Sequence, residues 1–129
     1  QAMTDTKSAQ NYLEAYKEKY GEVPPKPYID TSYDGIYALA LAAQKAGQAE
    51  GQEVRDALRD VCNAPGVKVL PGEWSKAVKL LEQGKDIDYV GASGSMDFDA
   101  NGDVSGTFAH WKIEDGKIVT EKVFEPKMK

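Results

Sequence analysis

The residues best placed to do chemistry lie between Gly91 and Asp103. Asp97, Asp99 and Asn101 put side-chain oxygens at the first, third and fifth positions of a loop whose sixth residue is Gly102, followed by Asp103. An EF-hand loop presents its calcium ligands in this order. The twelfth position, where a bidentate glutamate would close the shell, is Phe108, and the residues beyond it alternate like a strand. Asp, Asn and Gly also suit a tight turn, because the short side chains cap backbone groups and tolerate positive φ. Two readings stand: a calcium-dependent interaction module built on Asp97 to Asp103, and a plain interstrand turn, which the missing twelfth ligand favours.

The other reactive residue types are sparse. Gly91-Ala92-Ser93-Gly94-Ser95 satisfies neither the nucleophile-elbow pattern nor the phosphate-loop pattern. His110, the single histidine, has Glu121 as its expected cross-strand partner, which makes an ion pair rather than a base and nucleophile. Cys62, the single cysteine, falls on an apolar helix face and reads as a buried structural thiol. A zinc centre lacks ligands, and the carboxylates alternate with lysines as on a solvated face. The chain therefore reads as a non-enzyme without cofactor or catalytic residues.

Four helices and a hairpin position these groups. Ala9, Tyr12, Leu13, Tyr16 and Tyr20 recur at helical spacing and predict a helix over 5–20, capped by Thr4 or Asp5 and stopped by Gly21. Pro24, Pro25 and Pro27 then impose an extended connector. A second helix over 32–46 is apolar on all sides, from Ile36 to Ala43, which marks a buried helix; Thr31 or Ser32 is its expected cap, and Asp34 suits its positive end. Helices over 52–62 and 73–83 follow, with Val54, Ala57, Leu58 and Val61, then Trp74, Ala77, Val78 and Leu81, on their apolar faces. Asp115-Gly116 joins two alternating segments in a hairpin, pairing Ile113 with Ile118, Trp111 with Thr120, His110 with Glu121, and Phe108 with Val123. The chain thus divides into a helical part over about 1–84 and a β-rich part over about 85–125.

Composition bounds the rest. The 129 residues, 41% hydrophobic, suffice for one domain but not two. With 21 acidic against 16 basic side chains, the net charge of -5 argues against nucleic acid. The longest apolar run, Ile36 to Ala43, is far below membrane-spanning length. An alanine-rich helix that wants protein on every side is poorly served by three amphipathic helices and a few strands, so the natural core is expected to include strands outside this chain.

Tyr33-Asp34-Gly35-Ile36-Tyr37-Ala38-Leu39, closing with Lys45-Ala46-Gly47, resembles the Tyr-Asp-Ala helix of ABC-transporter substrate-binding proteins of the branched-chain amino acid type. Val54-Arg55-Asp56-Ala57-Leu58 resembles that family's next helix, and Gly84 to Gly94, Asp97 to Asp103, Trp111 and Asp115 to Val119 resemble its late segment in the same order. The resemblance implies an α/β type I periplasmic-binding fold, of which residues 1–129 are the C-terminal portion, an α+β fragment of about four helices followed by an antiparallel hairpin. It implies capture of an amino acid or a related small amide or carboxylate between two lobes, and delivery to ABC permease subunits. It also implies a periplasmic or extracellular location, with a membrane-associated lipoprotein as one form, and self-association of the isolated fragment. Residues leading into the Tyr-Asp-Ala helix lie near the ligand in that family, which points to Tyr28, Asp30, Thr31, Ser32 and Tyr33. Asp30 stands where relatives often carry a bulky apolar residue, which counts against an aliphatic ligand.

If Asp97 to Asp103 is a turn, calorimetric titration should show no calcium binding in the micromolar range. A saturating isotherm abolished by Asp99→Ala would establish the calcium module instead.

Overall fold

The computed structural model describes residues 6–124. Helix α1, Lys7–Tyr20, starts at Thr6, whose hydroxyl oxygen accepts from the Ala9 amide at 3.3 Å, and stops at Gly21 with φ 77°. The caps expected at Thr4 and Asp5 lie outside the described residues. Helix α2, Ile29–Ala46, starts three residues before the sequence reading, with Tyr28 at the N-cap position in place of Thr31 or Ser32. Proline disfavours helix at the residue before it and in a helix interior but not in the residues that follow it, so after Pro27 the chain is free to coil at once. Ser32 lies inside the first turn, where its hydroxyl donates to the Tyr28 carbonyl at 2.9 Å.

Helix α3, Gly51–Cys62, packs along α2 and leads into strand β1, Val67–Val69. Helix α4, Trp74–Glu82, crosses over to strand β2, Ile87–Gly91, which pairs parallel with β1 in the register Val67↔Ile87, Lys68↔Asp88, Val69↔Tyr89. This βαβ unit was not legible in the sequence, because three residues of β1 are too few to show a period. Gly66 permits the close approach: a Cβ there would strike the Ile87 backbone. Strand β3, Gly94–Ser95, folds back antiparallel on β2.

Leu41, Val61, Cys62, Val69, Ile87 and Tyr89 are wholly buried where α2, α3 and β2 meet. Burial, reinforced by the charges of Asp88, Asp97 and Asp34, pushes the Cys62 thiol up to about 12, as befits a structural cysteine. The apolar girdle of α2 is covered on one side only. Asp34, Ala38, Leu41 and Ala42 face inward, whereas Ile36 is 71% and Leu39 47% exposed.

Strands β4, Phe108–Glu114, and β5, Lys117–Phe124, form the expected hairpin, with positive φ at both Asp115 and Gly116. Ile113↔Ile118 and Trp111↔Thr120 pair as expected. Beyond them the register corrects the sequence reading: His110 faces Lys122 and Phe108 faces Phe124, because Glu121 is an extra residue opposite the step from His110 to Trp111. With that bulge, Ala109, Trp111 and Ile113 share one face with Ile118, Thr120 and Val123. Glu121 still meets the His110 imidazole at 3.2 Å. Both strands remain largely exposed, and the hairpin's main packing is internal.

Leu41→Ala should cost about 2–4 kcal/mol in chemical denaturation, through lost burial and the cavity left behind. Ile36→Ala should cost under about 0.5 kcal/mol. Equal effects at the two positions would contradict this division of α2 into a covered and an open face.

Candidate functional site

Of the five residues expected near a ligand, Tyr28 is the N-cap of α2 and the other four sit in its first turn and a half, and four of the five serve two hollows. Tyr28 and Asp30 line a pocket of about 390 Å³ with Tyr12 of α1, Lys26 and the three connector prolines. Ser32 and Tyr33 line a groove of about 570 Å³ between α1, α2 and the start of α4, with Tyr16, Tyr37 and Trp74 among its walls. Tyr12 borders both. Thr31 is an exposed residue of the turn, and its amide donates to Asp30 Oδ1 at 2.9 Å.

The groove is aromatic because two helical stripes meet along it. Tyr20, Tyr16 and Tyr12 follow one another at i, i-4 spacing on α1, with ring centroids 4.6 and 5.9 Å apart. Tyr12 then contacts Tyr33 at 5.1 Å, and Tyr33 contacts Tyr37 at 5.5 Å. Tyr37 stacks on Tyr89 at 4.8 Å and meets the edge of Trp74 at 5.7 Å. Burial pushes the phenols of Tyr12 and Tyr37 up to about 12, the Asp30 charge adding to the effect at Tyr12. Both hydroxyls are buried without a hydrogen-bond partner among the described residues. Such a lining, flat apolar rings with a few polar tips, suits a small organic ligand rather than bond-making chemistry. Sequence reasoning registered Tyr12, Tyr37 and Trp74 as helix stripes; the side-by-side packing of two stripes is tertiary information.

Asp34 does more than sit at the positive end of α2. Its carboxylate is wholly buried and accepts four hydrogen bonds, one from β2 and three from the turn that follows it. The Tyr89 hydroxyl and the Ala92 amide donate to Oδ1, each at 2.8 Å, and the Ser93 amide and hydroxyl donate to Oδ2 at 2.7 and 2.6 Å. Gly91 makes room, since a Cβ at that position would overlap the carboxylate. The glycine- and serine-rich stretch that satisfied no catalytic pattern is thus the receptor for a structural carboxylate.

The Asp97 to Asp103 segment is organised as a turn. Asp97 Oδ1 accepts from the Ala64 amide at 2.9 Å, and its Oδ2 accepts from the Ser95 hydroxyl at 2.6 Å. Asp99 Oδ1 accepts from the amides of Asn101 and Asp103 at 2.8 and 2.9 Å. The Asp103 amide leads the hydrogen bonds that hold the Asp99 carboxyl below its ordinary range. Asn63 clamps Phe98 through both its amide and its carbonyl, at 3.0 and 2.8 Å. Among the described residues, no three histidine, cysteine or acidic side chains converge as metal ligands would.

Residues 2–115 match the family described as the receptor family ligand binding region. Over 77 residues, 60% of this chain, the sequence is 31% identical to the chemotactic signal transduction system substrate-binding protein BasB of Halobacterium salinarum, covering 19% of that protein. The fold superposes on the leucine binding protein LivK of Thermotoga maritima with a TM-score of 0.60 and 24% identity, over 97% of this chain and 28% of that one. The chain therefore spans under a third of the length of either relative.

Asp34→Ala leaves Tyr89, Ala92 and Ser93 with buried donors and no acceptor, so it should lower stability by about 3–5 kcal/mol in urea denaturation. Ser93→Ala, which removes one donor, should cost about 1 kcal/mol. A loss at Asp34 no greater than that at Ser93 would show that the turn does not depend on the carboxylate.

Proposed function

The chain belongs to the receptor family ligand binding region, and from that premise we propose that it is the C-terminal portion of a solute-binding receptor that captures an amino acid or a related small amide or carboxylate. The match of residues 2–115 to a ligand-binding family carries this reading. The aromatic groove and the open face of α2 support it: they are what a piece of a two-lobed receptor exposes when its remaining strands lie elsewhere. In the intact receptor, Tyr28, Asp30, Thr31, Ser32 and Tyr33 form one wall of the cleft, and lobe closure holds the ligand. The reading includes handover to ABC permease subunits outside the cytoplasmic membrane and no covalent chemistry. The name of the halobacterial relative supports a second destination, in which the loaded receptor informs a chemotactic signalling system.

The intact protein should be stabilised in a thermal-shift panel by at least one amino acid, and Tyr33→Ala should weaken that ligand about tenfold. Residues 1–129 alone should respond to none, because one wall of a cleft leaves the ligand's charges in water. Stabilisation of the isolated chain by a single amino acid would overturn the partial-cleft reading, and an intact protein indifferent to the whole panel would overturn the receptor reading.

A further inference from the structure

We infer that the pocket between the proline connector and the first turn of α2 takes a basic amino acid, its side-chain amine or guanidinium paired with Asp30. The inference rests on the receptor reading and narrows it to a ligand class.

Three observations meet in this pocket. Asp30 is a carboxylate only 8% exposed, and buried carboxylates normally carry a cation or several donors. Asp34, four residues on, has four donors; for Asp30 the structure shows one, the amide of the next residue, and no ion pair among the described residues. The positive end of α2 helps to hold this charge, but a helix terminus supplies only a fractional counter-charge. Tyr12, 5% exposed, borders the same pocket with a buried hydroxyl that meets no hydrogen-bond partner among the described residues. An incoming N–H group would satisfy that oxygen together with the carboxylate. Tyr28, at the rim, holds the left-handed conformation at φ 68°, a strained setting for a tyrosine that recurs at ligand sites, and its exposed ring offers a face to a cation.

Lys26 is the one cation among the lining residues and is itself exposed. It would repel a bare diamine, yet it suits a ligand that carries a carboxylate at its other end. A volume of about 390 Å³ lies within the range of small-ligand pockets. Negative charge at one side and positive charge at the other select a zwitterion with an additional nitrogen cation over an aliphatic amino acid.

Calorimetric titration of the intact protein with L-arginine, L-leucine and agmatine tests this. L-Arginine should bind at least about tenfold tighter than L-leucine, and Asp30→Asn should weaken arginine by about thirtyfold or more while leaving leucine within twofold. Asp30→Glu should keep the preference. Tyr12→Phe should weaken arginine about fivefold, and Lys26→Ala should weaken arginine but not agmatine, which lacks the carboxylate. Should Asp30→Asn fail to fold, the Tyr12 and Lys26 variants decide. Tight leucine binding without arginine binding, or a preference unchanged by these substitutions, would overturn the inference and leave the receptor reading standing. An intact protein that binds none of the three and no other amino acid would overturn both.

Discussion

The buried carboxylate of Asp34 ties the fold together. A charge without water must be met by donors, and here the donors are one phenol, one hydroxyl and two backbone amides of the β2–β3 turn. This one group fixes the depth at which α2 sits on the sheet, and it sets the neighbouring positions. Gly91 cannot carry a side chain because the carboxylate occupies that space. Tyr89 must point its hydroxyl inward, which lays its ring flat against Tyr37 and thereby builds the floor beneath the aromatic groove. The helix that carries Asp34 also carries Asp30 and Tyr33, so the candidate ligand wall inherits its position from the same contact.

Much of this was legible in the sequence, for identifiable reasons. Helices announce themselves through spacing and stops, so α1, α3 and α4 fall within about two residues of their expected bounds. Asp115-Gly116 fixed the hairpin because both positions adopt positive φ. Tertiary pairing was not legible. Strand β1 is too short to show alternation, the bulge at Glu121 is set by the pairing of the two strands, and the partners of Asp34 are 55 to 59 residues away. The start of α2 was misplaced because Thr31 and Ser32 look like caps, while Pro27 had already released the chain to coil. The five residues proposed for the ligand wall form one run of sequence, but the division of four of them between two hollows depends on the positions of Tyr12 and the prolines.

Two surfaces bear on the wider protein. The outer face of α2 exposes Ile36 and Leu39, and one face of the hairpin aligns Trp111, Ile113 and Ile118. Each is exposed apolar surface on an otherwise regular element, which is how secondary structure looks when its packing layer is elsewhere. The chain covers 28% of a solved relative with the same fold, so there is ample polypeptide in such a protein to supply both layers. The hairpin's bulge sets Val123 on the face of Trp111, Ile113 and Ile118 and leaves Phe108, Val119 and Phe124 on the other, and the strong twist of a bulged ribbon allows it to wrap a neighbour.

The chain of rings from Tyr20 through Tyr16, Tyr12, Tyr33 and Tyr37 to Trp74 has an optical consequence. Neighbouring rings are separated by 4.6 to 5.9 Å, close enough for excitation absorbed by any of these tyrosines to pass down the series and emerge from the indole. Trp74 lines the groove and is partly wet, so its emission colour follows how much water the groove holds. The molecule thus carries a built-in antenna and lamp that report the wetting of this groove without an added dye.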